Sequence, residues 1–327
     1  MRNLAWLTIL WLLPFSSASS GQEPIRVDVH LINVAFSVMD SEGKFVSDLN
    51  QDDFDVLEDN VPQKISFFAP ASETPLKLGL VMDFSGSQSQ ALNSHHKDLE
   101  TFLKTVITPR DRAFLLCFEN HLRLVDDFTS QAKDIVDSLD HFEAAVRRVP
   151  KEKKGIRVTR ANYPEMGPPE VRPLFTGTAF FDAIYESIAE KFRAEQQGRK
   201  ALVIFSDGED NSSARDELET IEIAQANDAV LFCVRYTELK HGVVTSRNKY
   251  GKTVMARIAR DTGGADFDAH EKGLAANFNA IGDQLRSSYE LAYHTTNPVS
   301  DGSFHKILIR CRRPGMAIRA KSGYIAN

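Results

Sequence analysis

Apolar and polar positions alternate along this chain with two different periods. Residues 26–38 (RVDVHLINVAFSV) are rich in β-branched side chains and alternate in part, and residues 54–58 (FDVLE) alternate cleanly. Residues 64–68 (KISFF) resume the pattern after the turn Asp59-Asn60, and an earlier turn signal, DSEG, occupies residues 40–43. Short alternating runs separated by polar turns predict antiparallel strands. So few residues make a poor core by themselves, so the segment is expected to pack on something else.

After the linker PASETP (70–75) the period changes. Continuous apolar runs at 76–82 (LKLGLVM), 113–118, 122–125, 200–205 and 229–234 alternate with helical spacing at 92–107, 131–142, 179–192, 215–226, 253–261 and 273–286. Strands apolar on both sides, interleaved with amphipathic helices, predict a parallel sheet covered on both faces. Strand alternation returns at 289–294 (YELAYH), 306–311 (KILIRC) and 319–325. The tail is expected to pair with the N-terminal strands. The predicted fold class is α/β: a doubly wound, mostly parallel, Rossmann-like sheet, with a small β domain formed from both chain ends. The expected division is a signal peptide at 1–20, an N-terminal β segment at 21–75, an α/β domain at 76–290, and a C-terminal β segment at 291–327 packing with the N-terminal one.

Composition narrows the function. The 327 residues are 42% hydrophobic and 26% charged, values of an ordinary globular chain rather than a disordered or polytopic membrane one. A net charge of -6 argues against a nucleic-acid binder driven by phosphate neutralisation. Arg2, the apolar run 4–15 and the small residues 16–20 have the layout of a secretory signal peptide, which implies a secreted or periplasmic protein. No other stretch is long and apolar enough to span a bilayer, so no integral membrane span is expected after cleavage. Cys117, Cys233 and Cys311 all fall in apolar, strand-like runs. An odd count without ligand spacing predicts buried thiols rather than a disulfide framework. One segment breaks the α/β rhythm. Residues 147–173 carry five prolines, with seven basic residues and one acid between 147 and 160. They read as a solvated insertion or as a basic partner-binding patch.

The sharpest chemical signal is Asp83-Phe84-Ser85-Gly86-Ser87, where the first parallel strand ends. Ligands of open α/β sheets bind outside the carboxyl ends of strands. Three oxygen side chains at alternate positions of a tight turn converge on one point, and Gly86 lets the backbone bend between the serines. Thr178, before the helix at 179, and Asp207, after the strand at 200–205, end in the same way. Asp83, Ser85, Ser87, Thr178 and Asp207 are hard oxygen donors, a set suited to Mg²⁺, or to Mn²⁺ and Ca²⁺, rather than to Zn²⁺. The rival reading is a metal-dependent hydrolase using the same acidic pocket. No G-x-S-x-G elbow surrounds Ser85 or Ser87, and no nucleophile–base pair is evident, so no enzyme is expected.

At these residues the chain resembles a von Willebrand factor type A domain. D-x-S-x-S stands as Asp83, Ser85 and Ser87, the family's second-loop threonine matches Thr178 in TGTAFFDAIY, and its third-loop aspartate matches Asp207 in VIFSDGED. The resemblance covers roughly residues 76–290. The flanks 33–68 and 301–326 are similar to bacterial secreted VWFA-related proteins described from acidobacteria. The resemblance implies a metal-ion-dependent adhesion site. In it Ser85, Ser87 and Thr178 bind Mg²⁺ through hydroxyls, and Asp83 and Asp207 hold it directly or through water. A protein ligand then offers a carboxylate to the remaining position.

Overall fold

The computed structural model describes residues 31–85, 96–147, 163–167, 177–195, 198–236, 246–269, 271, 273–297 and 302–326. The alternating N-terminal runs form β1 (Leu31–Met39), β2 (Phe54–Glu58), β3 (Val61–Gln63) and β4 (Ile65–Pro70). Six strands then make the central sheet: β5 (Leu76–Asp83), β6 (Arg112–Phe118), β7 (Leu122–Thr129), β8 (Arg199–Ser206), β9 (Ala229–Arg235) and β10 (Asp266–Asp268). The tail supplies β11 (Ser288–His294), β12 (Phe304–Cys311), β13 (Ala317–Ala320) and β14 (Gly323–Ile325).

The central sheet runs in the order β10-β9-β8-β5-β6-β7. All its pairings are parallel except β6 with β7. Only residues 119–121 join that pair, too few for a crossover, so β7 must turn back as a hairpin. Every residue of β5 is buried, as a central strand with helices on both faces requires. Among the described residues the helices are α1 (His96–Val106), α2 (Ala132–Arg147), α3 (Phe180–Glu186, continued by a π-turn over Ser187–Phe192), α4 (Glu217–Ala226), α5 (Ser246–Asp261) and α6 (Leu274–Arg286). On one face Leu78, Leu80 and Met82 pack with Leu103 of α1, Leu139 of α2 and Ile281 of α6. On the other, Val81 and Leu202 pack with Ile184, Ile221 and Ile258 of α3, α4 and α5. Gly79 leaves room there for its neighbours: a Cβ would lie 2.2 Å from Leu202 Cδ2 and 2.5 Å from Phe114 Cζ.

The two chain ends build two further sheets, β13-β1-β11-β4 and β14-β12-β2-β3. Their pairings are antiparallel, with Val34 opposite Leu291, Ser37 opposite Arg319 and Val56 opposite Ile309. One apolar cluster joins them through Val34, Phe36, Val56, Tyr289, Leu291 and Ile309. Tyr289 stacks between Phe36 and Phe68, at ring centroid distances of 5.5 and 5.4 Å, while its hydroxyl donates to Val46 O at 2.9 Å. The expectation that tail and N-terminal strands pair is met in a particular way. β12 takes β2 as its partner, whereas β1 is flanked by β11 and β13. This unit docks on the α/β layer through Lys321, which pairs with Asp228, and through Gln225, whose amide donates to Asp261 O and Ser322 Oγ.

The described part of the Pro-rich insertion lies along β7. Leu124 N donates to Pro164 O, Met166 N donates to Leu122 O, and Glu165 pairs with Arg123 and His121. Residues 163–167 therefore cover part of an edge that would otherwise expose unpaired backbone groups. Cys117 and Cys233 are buried free thiols held well above the ordinary thiol range by burial, and Cys311 is free and half-buried. Among the described residues no helix is long and apolar enough to cross a membrane. Residues 1–20, expected as a signal peptide, lie outside the described residues.

Candidate metal centre

The strand order locates the chemistry. From β5 the chain moves to β6 on one side, and from β8 it moves to β9 on the other. The carboxyl ends of β5 and β8 therefore flank the point where the winding reverses, the place in an open α/β sheet where loops part to leave a crevice. Asp83 ends β5, and Ser206-Asp207 stands at the end of β8. The loop carrying Gly177 and Thr178 comes to the same edge because Ala179 N donates to Glu119 O, just past the end of β6, at 2.8 Å.

Asp83 is fully buried. Its Oδ1 accepts the Ser85 amide at 2.8 Å, which closes the turn into the D-x-S segment. Its Oδ2 accepts the Ser206 hydroxyl at 2.6 Å, and Ser206 Oγ in turn accepts Gly208 N at 3.1 Å. Burial, aided by the negative charge of Asp207 and opposed by the bonds from Ser206 and Ser85, pushes the Asp83 carboxyl up to about 7. Among the described residues no lysine or arginine pairs with Asp83. A buried carboxylate beside a second one, without a cationic side chain of its own, is a place that favours a bound cation. The donor set is oxygen only, so the residues fit a hard divalent ion.

Asp207 is nearly buried, and its Oδ1 accepts Glu209 N at 3.0 Å. The loop is shaped by Gly208 at φ +76°, where a Cβ would lie 2.7 Å from Gly251 O of α5. Thr178 is 7% exposed; its amide donates to Asn211 Oδ1 at 2.8 Å, and its carbonyl accepts Asn211 N and Ser212 N. Among the described residues its hydroxyl has no hydrogen-bond partner, so that oxygen is free to serve a ligand. Of the five residues expected from the sequence, Asp83, Ser85, Thr178 and Asp207 come to one edge of the sheet. Ser87 lies outside the described residues. Phe84 and Phe205 pack in the core, Phe84 edge-on to Phe142 at 5.0 Å.

Among the residues that hold these loops, sequence reasoning missed Ser206 and Asp182, while Asp210 was expected to support the acidic loop or lie at its surface. Ser206 anchors Asp83. Asp210 Oδ1 caps the amide of Phe180 at 2.8 Å at the start of α3, and it accepts Ser213 Oγ. Asp182 accepts the amides of Ala214 and Arg215 at 3.0 and 2.9 Å. The second and third loops are thus bound to each other by side chains that accept backbone amides. A hint was available in the run of short polar residues 206–213, which favours side-chain-to-backbone bonds over regular structure.

No family model matches the chain, and no curated protein matches it. Among solved structures it is similar to the conserved hypothetical protein BatB of Bacteroides thetaiotaomicron, at 14% identity over 64% of this chain and 97% of that one, with a TM-score of 0.42. It is similar to proximal thread matrix protein 1 of the mussel byssus, described with a zinc-occupied MIDAS motif, at 14% identity over 68% and 48% with a TM-score of 0.44. A third likeness is to the vWF domain of the type V pili tip protein Mfa5 of Porphyromonas gingivalis, at 12% identity over 64% and 94% with a TM-score of 0.41. Scores this low carry no argument about function, which rests on the residues of this chain.

Proposed function

We propose that the chain is a secreted or periplasmic von Willebrand factor type A protein that binds a protein partner through a divalent cation. Asp83, Ser85, Ser87, Thr178 and Asp207 would hold Mg²⁺, or in its place Mn²⁺ or Ca²⁺. When bound, the ion supplies an electrophilic position that a partner carboxylate can fill. Mg²⁺ demands near-octahedral oxygen coordination, which makes one open position selective for an acidic group. The observation that carries this reading is the fully buried Asp83 carboxylate at the switch point of the sheet, bonded by the Ser85 amide and the Ser206 hydroxyl. Asp207 stands beside it, and the Thr178 hydroxyl is free.

The role proposed is binding, not catalysis. The hydrolase alternative needs a base placed to activate a nucleophile. Among the described residues, the bonds that Asp83 and Ser206 make to each other and to loop amides serve to fix the loop. Calorimetric titration with Mg²⁺ and Mn²⁺, on wild type and Asp83→Ala, tests the site. Capture of partners from envelope extract, with Mg²⁺ against chelator, tests the use. Unchanged cation affinity in Asp83→Ala would refute the proposal.

A further inference from the structure

We propose that Glu58, Asp59 and His305 form a second cation site, of a different chemical class, at the seam where the two chain ends meet. Glu58 ends β2, Asp59 opens the two-residue turn into β3 at φ +49°, and His305 lies on β12 beside it. Glu58 Oε1, Asp59 Oδ2 and His305 Nδ1 all lie within 4.8 Å of one another. Nδ1 is 2.7 Å from Oδ2 and 4.0 Å from Oε1. Four-coordinate Zn²⁺ with bonds near 2.1 Å holds its ligands about 3.4 Å apart, and these separations straddle that value.

Two further observations point to a cation at that spot. The first is charge. Glu58 is fully buried, and its oxygens accept only neutral donors: the Tyr293 hydroxyl at 2.6 Å, the Thr295 hydroxyl at 2.6 Å, the Asn297 amide at 2.7 Å and the Tyr324 hydroxyl at 3.3 Å. Among the described residues His305 is the only basic side chain within 4.0 Å of it. Those donors satisfy the oxygens of Glu58 by hydrogen bonds but bring no positive charge, and one imidazole faces two carboxylates here.

The second is convergence. Asn297 Nδ2 lies 2.7 Å from Oε1, 3.2 Å from Oδ2 and 3.3 Å from Nδ1, so the amide borders all three ligand atoms at about the separation of neighbouring ligands. Half a turn of that amide replaces its nitrogen with a fourth ligand oxygen. The outer partners are those a metal-bound histidine and carboxylate use. His305 Nε2 meets Ser303 Oγ at 3.1 Å, Asp59 Oδ1 accepts Lys306 N at 2.8 Å, and Glu58 Oε2 accepts Tyr293.

One nitrogen with two or three oxygens selects a borderline ion of the Zn²⁺ class over Mg²⁺. Binding uses the Nδ1 lone pair, so the hydrogen bond between His305 Nδ1 and Asp59 Oδ2 gives way to the ion. The ligands come from residues 58–59, 297 and 305, so a bound ion ties together strands from opposite ends of the chain.

The test uses the full chain carrying Asp83→Ala, which removes the first proposed site from the count. Titration with ZnCl₂ should show one equivalent bound. Asp59→Asn keeps the acceptor for Lys306 N on a side chain that is 40% exposed, so it should fold and bind Zn²⁺ about tenfold or more weakly. His305→Gln should do the same. MgCl₂ at equal concentration should give no such binding. Absence of Zn²⁺ binding, binding by either variant as tight as by the parent chain, or Mg²⁺ binding as tight as Zn²⁺ would each overturn the site.

Discussion

Replacing Thr178 with valine separates the stability of the metal loop from its use. The change keeps the β-branched shape and removes one oxygen. The backbone bonds of Thr178 to Asn211 and Ser212 are untouched, because they use its amide and carbonyl. Its hydroxyl makes no hydrogen bond among the described residues, so the folded protein loses no internal bond. The expected stability change is within about 0.5 kcal/mol, the range of substitutions that break no specific feature. In a chain of this size that moves the thermal midpoint by about 2 °C or less. Cation binding should behave differently. A ligand position left without its oxygen costs about 1–3 kcal/mol, the scale of an unsatisfied buried polar partner, or roughly 5- to 150-fold in affinity. The assay is Mg²⁺ and Mn²⁺ titration of wild type and Thr178→Val, paired with thermal unfolding of both in chelator. Cation affinity equal within twofold would show that Thr178 serves no ion. A midpoint lowered by about 5 °C or more would show that its side chain supports the loop instead.

Gly79→Ala should destabilise by about 1–3 kcal/mol in urea unfolding, because the new methyl meets Leu202 and Phe114 inside a fully buried strand; unchanged stability would mean that the sheet has room there. Deleting residues 300–327 removes β12, β13 and β14 from both terminal sheets, so the amides of β1 and β2 should lose exchange protection, and their retention would contradict a shared unit. Burial is the first cause that raises the Glu290 carboxyl above its usual range, with the neighbouring Thr74 hydroxyl and the Arg199 charge opposing it. The folded state therefore keeps this proton to higher pH than the unfolded state does, so stability falls as pH rises from near 4.5 through the raised folded value. Glu290→Gln should lessen that fall; parallel pH profiles of the thermal midpoint would assign it elsewhere.

Much of the architecture is legible in local pattern. The run 76–82 is apolar at nearly every position because its strand is covered on both faces, and the 54–58 run alternates because β2 buries one face, with Phe54, Val56 and Glu58 inside. Asp83, Ser85, Thr178 and Asp207 could be named because each follows an apolar run at a strand end or precedes a helix. The short β10 escaped notice, since Asp266–Asp268 carries no apolar pattern. The antiparallel direction of β7 follows from the length of a turn rather than from any periodicity.

The sequence by itself determined the periods of burial, and with them the order of strands and helices, the α/β class and the residue types offered to a cation. Only the tertiary structure decided which strands became neighbours. It set β5 beside β8, so that Ser206 holds Asp83 across 123 positions, and it brought Asp59 to His305 across 246. Burial is a property of each residue's own surroundings and repeats with the helix or strand that carries it. The pairing of distant segments is settled by the packing of whole faces, and no local period records it.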